Sequence, residues 1–292
     1  MTEGDDSDGD PNAGGDDAPK SAIVTDGGSD AVVLDRDEQT GVATITLNNP
    51  SLRNALTADV ADGIVDALDE LEGTDTRCVV VTGSEGSFSA GGDVNAMMEL
   101  QSGGWTLDDT VRHIIQNTGR CVQRLAECEF PTVAKIEGVA VGAGANLAIA
   151  CDVQLMSEEA RMGFGFRQVG LAVDSGTSYL LPRIVGDNVA KELVFTGELL
   201  DAERALELGL VNHVYDEERF EEEFAAFVEK IASGPTVALR TSKRLLDQGW
   251  ELSLQSAIAN EAGAQSAVFE TADHTEGVES FMGKRSPEFR GE

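Results

Sequence analysis

Positive charge is what this chain has least of. Its 21 Lys plus Arg stand against 53 Asp plus Glu, a formal charge of -32. A surface of that sign repels nucleic acid and anionic membranes at ordinary salt, which excludes the electrostatic binding modes of both. The acids run along the whole chain rather than in one block, and Arg outnumbers Lys. That pattern predicts a cytoplasm of very high salt, where screening shortens the reach of self-repulsion. Cysteine is scarce too. Cys78, Cys121, Cys128 and Cys151 have neither metal-like nor redox-like spacing, so a disulfide scaffold and a zinc site are excluded. They read as small buried or half-buried residues of a reducing compartment. No apolar run reaches membrane length, and no basic, apolar-cored leader opens the chain. The expectation is a soluble cytoplasmic protein.

What is present suffices for a full core: 292 residues, 41% of them hydrophobic, enough for one large domain or two small ones. Residues 1–29 are Asp, Gly, Ser and Pro with few apolar side chains, and read as a disordered acidic tail. From Val32 the pattern is α/β. Strands are expected at Val32–Leu34, Val42–Leu47, Cys78–Val81, Thr132–Ile136, Val153–Met156, Arg161–Phe164 and Leu210–Val214. Helices are expected after the caps Thr57, Asp93 and Thr106, and another is opened by Asp201-Ala202-Glu203-Arg204-Ala205. The Thr106 helix should carry Val111, Ile114, Ile115, Val122 and Leu125 on one face. From Asp216 the chain turns helical, which marks a core over 30–215 and a C-terminal helical subdomain over 216–292. His113 and His213 fall in these elements, and packing explains them better than catalysis.

Two strand-to-helix turns are built from small residues. Lys135-Ile136-Glu137-Gly138-Val139-Ala140-Val141-Gly142-Ala143-Gly144-Ala145-Asn146-Leu147 runs from a strand through glycines into a helix. Phe88-Ser89-Ala90-Gly91-Gly92-Asp93 does the same upstream. A helix start leaves backbone N–H groups unpaired, and small residues let a ligand approach them. Either turn alone would equally serve close helix–sheet packing. Together they can aim two N–H donors at one point, as an oxyanion hole requires.

These two stretches, the Gly138 stretch read on through Asp152, resemble the paired signatures of the enoyl-CoA hydratase/isomerase, or crotonase, superfamily. The resemblance covers roughly Val32 to Glu292 and implies a spiral of repeated β-β-α units. It also implies that the N–H groups of Ala90 and Ala143 bind the thioester oxygen of an acyl-CoA. The family usually has glycine at the Ala143 position; a backbone donor survives the change, and the pocket narrows by a methyl group. Arg53-Asn54-Ala55-Leu56 is similar to the family's CoA-binding turn, which puts Arg53 near the nucleotide phosphates and Ala55, Gly91, Gly92, Asp93 and Phe166 along the substrate. The closing Phe281-Met282-Gly283-Lys284-Arg285 resembles the branch that isomerises ring epoxides in phenylacetate breakdown. By that likeness Phe281 and Lys284 lie against CoA, often in a neighbouring subunit of a trimer or a dimer of trimers. Coenzyme A enters as part of the substrate, with no separate cofactor and no metal.

The hydratases use two glutamates, and the matching positions here are Asn146 and Phe166. Neither is an acid or a base, which argues against a two-carboxylate hydratase. Asp174, in Leu171-Ala172-Val173-Asp174-Ser175-Gly176-Thr177, matches the aspartate that moves protons in the dienoyl-CoA and ring-epoxide isomerase branches. An apolar surround raises such a carboxyl toward a useful pKa. Asp174 could also cap the helix from Ser175, and the two roles are compatible. Three rivals stay open: a hydratase using a base such as Glu137 or Glu158, an aryl-CoA dehalogenase or hydrolase with Asp174 as nucleophile, and a non-catalytic binding homologue. The favoured reading is an acyl-CoA isomerase acting through an enolate.

Overall fold

Two kinds of strand pattern build the frame. Val42–Leu47 alternates, with Ala43, Ile45 and Leu47 turned inward, whereas Cys78–Val81 is apolar throughout and buried on both faces. The second pattern requires layers on both sides of a largely parallel sheet. The computed structural model describes residues 30–292 and has that arrangement. The 1–29 tail expected from composition lies outside the described residues.

In chain order the strands are β1 (Val32–Asp37), β2 (Val42–Leu47), β3 (Cys78–Gly83), β4 (Thr132–Ile136), β5 (Val139–Val141), β6 (Val153–Ser157), β7 (Arg161–Gly163), β8 (Leu199–Asp201) and β9 (His213–Tyr215). The large sheet runs β1-β2-β3-β4-β6-β9, antiparallel only between β1 and β2. The small sheet runs β5-β7-β8 and is extended by a bridge between Ser89 and Ala140. Each unit places a strand in the large sheet, a strand or bridge in the small one, and then a helix. Thus β4 and β5 lead to Ala143–Ala150, and β6 and β7 lead to Thr177–Val185. This is the expected β-β-α spiral.

One face of the large sheet packs on the Ala58–Leu71 and Ala143–Ala150 helices through Ile45, Leu47, Val79, Val81, Ala134 and Ile136. The other packs Cys78, Val80, Val133 and Leu155 on Phe220, Phe224 and Val228 of the Phe220–Ala232 helix. Helices Thr236–Gly249, Leu254–Val268 and Ala272–Gly283 follow. The tail after them folds back. Asp273, buried, accepts from Arg290 N and Gly291 N at 2.7 and 2.8 Å, and Arg77 donates to Gly234 O and Phe289 O. All four cysteines are free and buried; burial pushes the Cys78 and Cys121 thiols up to about 12. No helix among the described residues is long and apolar enough to cross a membrane.

Several features depart from the sequence expectation. The strand expected at Leu210–Val214 is β9, His213–Tyr215, with Leu210, Val211 and Asn212 outside it. β5 and β8 were not expected as strands; at three residues each, they are too short for alternation to register. The helix after Thr106 does have the expected cap, with a reciprocal Asp109 bond, but Ile115–Gly119 forms a π-turn. The extra residue rotates the two halves by about 100° relative to each other. Val122 and Leu125 are therefore buried while Val111, Ile114 and Ile115 are exposed, rather than sharing one face.

Candidate active site

The first turn is held by Asn54, to which the sequence reading gives no role of its own. Asn54 is fully buried in left-handed backbone, φ 56°. Its side chain donates to Ser84 O and Ser87 O at 3.0 and 2.7 Å and accepts from Asn49 N at 2.9 Å, while its carbonyl accepts from Ser89 Oγ at 2.7 Å. Arg53-Asn54-Ala55-Leu56 is thereby pinned to the loop that follows β3. The pinning decides which amide is left over. Ala90 N–H donates to Arg53 O at 2.9 Å, and Gly91 N–H donates to Ser89 Oγ at 3.3 Å. Leu56 N–H donates to Gly91 O at 2.7 Å, bridging Leu56 to Gly92. Gly92 N–H meets no acceptor among the described residues. The expected donor Ala90 is therefore spent inside the fold, and the available N–H of this turn belongs to Gly92.

The second turn lies alongside. Ser89 N–H donates to Val139 O at 2.8 Å and Val141 N–H to Ser89 O at 3.0 Å, so β5 and the first turn run as neighbours. Gly142 then takes φ 56°, ψ -123°, a conformation a side chain would obstruct, and caps the Ala143–Ala150 helix. Ala143 is the first helical residue, whose N–H has no intrahelical acceptor. The turns touch closely. A methyl group on Gly91 would stand 2.6 Å from Val141 O and 3.6 Å from Ala143 N, and one on Gly144 would stand 2.6 Å from Ser89 Cβ. Glycine at 91 and 144 is what lets the donors of Gly92 and Ala143 sit on adjoining turns.

Asp174 follows β7 and the short 3-10 turn Gly165–Val169. Its Oδ1 is buried and has no hydrogen-bond partner among the described residues. Burial pushes the carboxyl above its ordinary value, and the adjoining Ser175 side chain offsets part of the rise. The capping alternative does not hold: Gly176 caps the Thr177–Val185 helix, and Asp174 offers it only a backbone carbonyl, which accepts from Thr177 N at 3.0 Å. Ser175 is left-handed at φ 48°, buried, and donates to Thr118 Oγ1 of the π-turn at 2.8 Å. Strain of this kind persists only where the surroundings impose it.

The remaining expected residues divide. Asn146 and Phe166 are buried, and Phe166 and Val173 belong to the same apolar cluster as Ala143. Arg53 is exposed at the lip of the first turn and Ala55 is buried beside it. Asp93 caps the Val94–Gln101 helix through Asn95 N at 2.8 Å. Phe281 is 81% exposed, and Lys284 ends the last helix in left-handed backbone. Among the described residues no hydrogen bond or ion pair joins Phe281 or Lys284 to either turn or to Asp174. Glu137 pairs with Lys135 at 3.1 Å and Glu158 accepts from Glu217 N at 3.1 Å, so both alternative bases are engaged elsewhere. His113 contacts Trp105 edge-on and Asn117 at 2.6 Å. No cluster of three or more His, Cys, Asp or Glu among the described residues is placed to hold a metal.

Known proteins share this arrangement. The enoyl-CoA hydratase/isomerase family model matches residues 37–292. A Thermus thermophilus protein with a provisional enoyl-CoA hydratase name is 37% identical over 253 residues, 86% of this chain and 98% of the relative. The 1,2-epoxyphenylacetyl-CoA isomerase of Escherichia coli is 32% identical over 252 residues, 86% of this chain and 95% of the relative. The crystal structure of enoyl-CoA hydratase from Bacillus anthracis superposes with a TM-score of 0.82 at 30% identity, covering 90% of this chain and all of that one. With the spiral, both turns and the C-terminal helices in place, the chain belongs to the enoyl-CoA hydratase/isomerase family, the crotonase superfamily, whose members act on acyl-CoA thioesters.

Proposed function

We propose that this protein is an acyl-CoA isomerase, moving a double bond or rearranging a ring epoxide through a thioester enolate. One observation carries the reading. Among the described residues a single buried, unpartnered carboxyl oxygen, on Asp174, accompanies Asn146 and Phe166 at the two positions that the hydratases fill with glutamate. Water addition needs one group to activate water and another to deliver a proton. Isomerisation needs only one.

In double-bond migration the Asp174 carboxylate takes a proton from the carbon beside the thioester carbonyl. The C–H electron pair becomes a carbon–carbon double bond as the carbonyl π pair moves onto oxygen. The N–H groups of Gly92 and Ala143 donate to that oxygen while its charge develops. Asp174 then returns the proton at the far carbon of the conjugated system, and no water is consumed. Arg53 meets the CoA phosphates, with Ala55, Gly91 and Asp93 along the same lip and Phe166 toward the acyl group. Phe281 and Lys284 reach CoA from a neighbouring copy in a trimer or a dimer of trimers. Exposed Leu246, Leu254 and Ile258 on the C-terminal helices, with Trp250 in the turn between two of them, support that assembly.

The hydratase name of the Thermus thermophilus relative favours a second reading, water addition. A panel of enoyl-CoA and ring-epoxide CoA substrates in molar KCl, scored separately for isomerised and hydroxylated products, decides between them. Isomerised product that disappears in Asp174→Asn supports the proposal. Hydroxyacyl-CoA as the main product rejects it, and transfer of solvent oxygen into Asp174 during turnover would move the residue to the nucleophile role.

A further inference from the structure

Asn146 stands where the hydratases carry a glutamate, yet both ends of its amide are occupied within the fold. Nδ2 donates to the Asp174 carbonyl at 3.0 Å, and Oδ1 accepts from Thr177 Oγ1 at 2.8 Å. Thr177 N–H donates to the same Asp174 carbonyl at 3.0 Å. Thr177 Oγ1 also lies 2.8 Å from that carbonyl. The carbonyl's two lone pairs already receive the Asn146 and Thr177 N–H groups, so the single hydroxyl proton goes to Asn146 Oδ1. The result is a closed ring of hydrogen bonds through Asp174 O, Asn146 and Thr177, with Asn146 and Thr177 fully buried. A ring of this kind holds its members more firmly than separate bonds do.

The ring matters because of what adjoins it. Ser175 and Gly176, directly after Asp174, are both left-handed, at φ 48° and 83°. The loop is thus bent sharply where the carboxyl leaves the backbone, and it is gripped on one side by Asn146 and on the other by Thr118. Asn146 lies one turn along the same helix whose first residue, Ala143, presents the thioester-binding N–H. Donor and carboxyl are therefore referenced to one rigid element.

We propose that Asn146 is a positioning residue: through its ring with Thr177 it fixes the Asp174 backbone, and hence the aim of the carboxyl, relative to the Ala143 N–H. This rests on the isomerase reading above. It also accounts for the loss of water activation at this position, since a neutral amide with both ends engaged can neither take nor give a proton.

The test compares wild type with Asn146→Ala, Thr177→Val and Thr177→Ser in molar KCl, each checked for folding by circular dichroism. Two readouts are taken: kcat and KM for enoyl-CoA isomerisation, and titration of the Asp174 carboxyl by 13C NMR of Asp-labelled protein, assigned by difference from Asp174→Asn. Asn146→Ala and Thr177→Val should lower kcat roughly 10- to 100-fold, because small misplacements of a reacting group cost about that much. KM should stay within about 2-fold, and Thr177→Ser should restore most of the rate. In both damaging variants the carboxyl should swing toward water and titrate closer to an ordinary aspartate. A folded Asn146→Ala protein with wild-type kcat and unmoved titration overturns the proposal. If wild type isomerises nothing, the isomerase reading falls, and the titration decides the role of Asn146 alone. If Asn146→Ala does not fold, the Thr177→Val and Thr177→Ser pair decides by the same measures.

Discussion

Replacing Asp174 with asparagine should raise stability while removing activity. Asp174 keeps one carboxylate oxygen buried without a partner, and burial lifts its pKa above the ordinary 3.8. Between 3.8 and the raised native value the folded protein holds more protons than the unfolded chain. Stability therefore falls as pH rises through that window and stays lower above it. An unpaired buried polar atom costs on the order of 1–3 kcal/mol, and partial solvent screening of this half-buried group brings the figure to about 1 kcal/mol. Asparagine carries no charge and removes the part of that cost that comes from burying an ionised oxygen. For a chain of this size the gain is a rise of about 2–4 °C in Tm at pH 7. Calorimetry in molar KCl at pH 7 and at pH 4 measures it, with the difference between the two proteins shrinking at the lower pH as wild-type Asp174 protonates. A variant less stable than wild type at pH 7, or one with the same gain at both pH values, would refute the reasoning.

Three further outcomes follow from the same geometry. Ala143→Pro deletes the N–H proposed to bind the thioester oxygen, at a first helical position where proline is otherwise tolerated; kcat should drop roughly 100- to 1000-fold with the circular dichroism spectrum unchanged. Asn54→Ala strips the staple between the Arg53 turn and the loop after β3, leaving buried carbonyls unpaired, and urea melts should show a loss of about 3 kcal/mol. Because the chain carries a charge of -32, its unfolding midpoint should be low in dilute buffer and recover in molar KCl; equal midpoints would end the high-salt reading.

The fold was legible because its signals are local. Alternation in Val42–Leu47, the apolar run at Cys78, and the caps Thr57, Asp93 and Thr106 each act over a few residues, and all appear where expected. The pairing of the two turns was legible as well, from their small residues. Which amide stays free was not. Ala90 N–H is claimed by the carbonyl of Arg53, and that carbonyl is placed by Asn54 bonds reaching 30 and 33 residues along the chain. Nothing in the spacing of Ala90-Gly91-Gly92 records that contact. The role of Asn146 was hidden for the same reason: its partners, Asp174 and Thr177, lie 28 and 31 residues away. The π-turn at Ile115–Gly119 escaped because an inserted residue leaves no compositional mark, and its effect is seen only in which of Val111, Ile114 and Ile115 reach solvent.

One measurement bears on the central claim most directly: wild type and Asp174→Asn incubated with a 3-enoyl-CoA in heavy water and molar KCl, with products read by mass spectrometry. A lone carboxyl ferrying hydrogen between two carbons predicts conjugated 2-enoyl-CoA, partial deuterium at the protonated carbon, no hydroxyacyl-CoA, and loss of all turnover in the variant. Hydroxyacyl-CoA formed as fast as the isomer, or isomerisation that survives in Asp174→Asn, would contradict it.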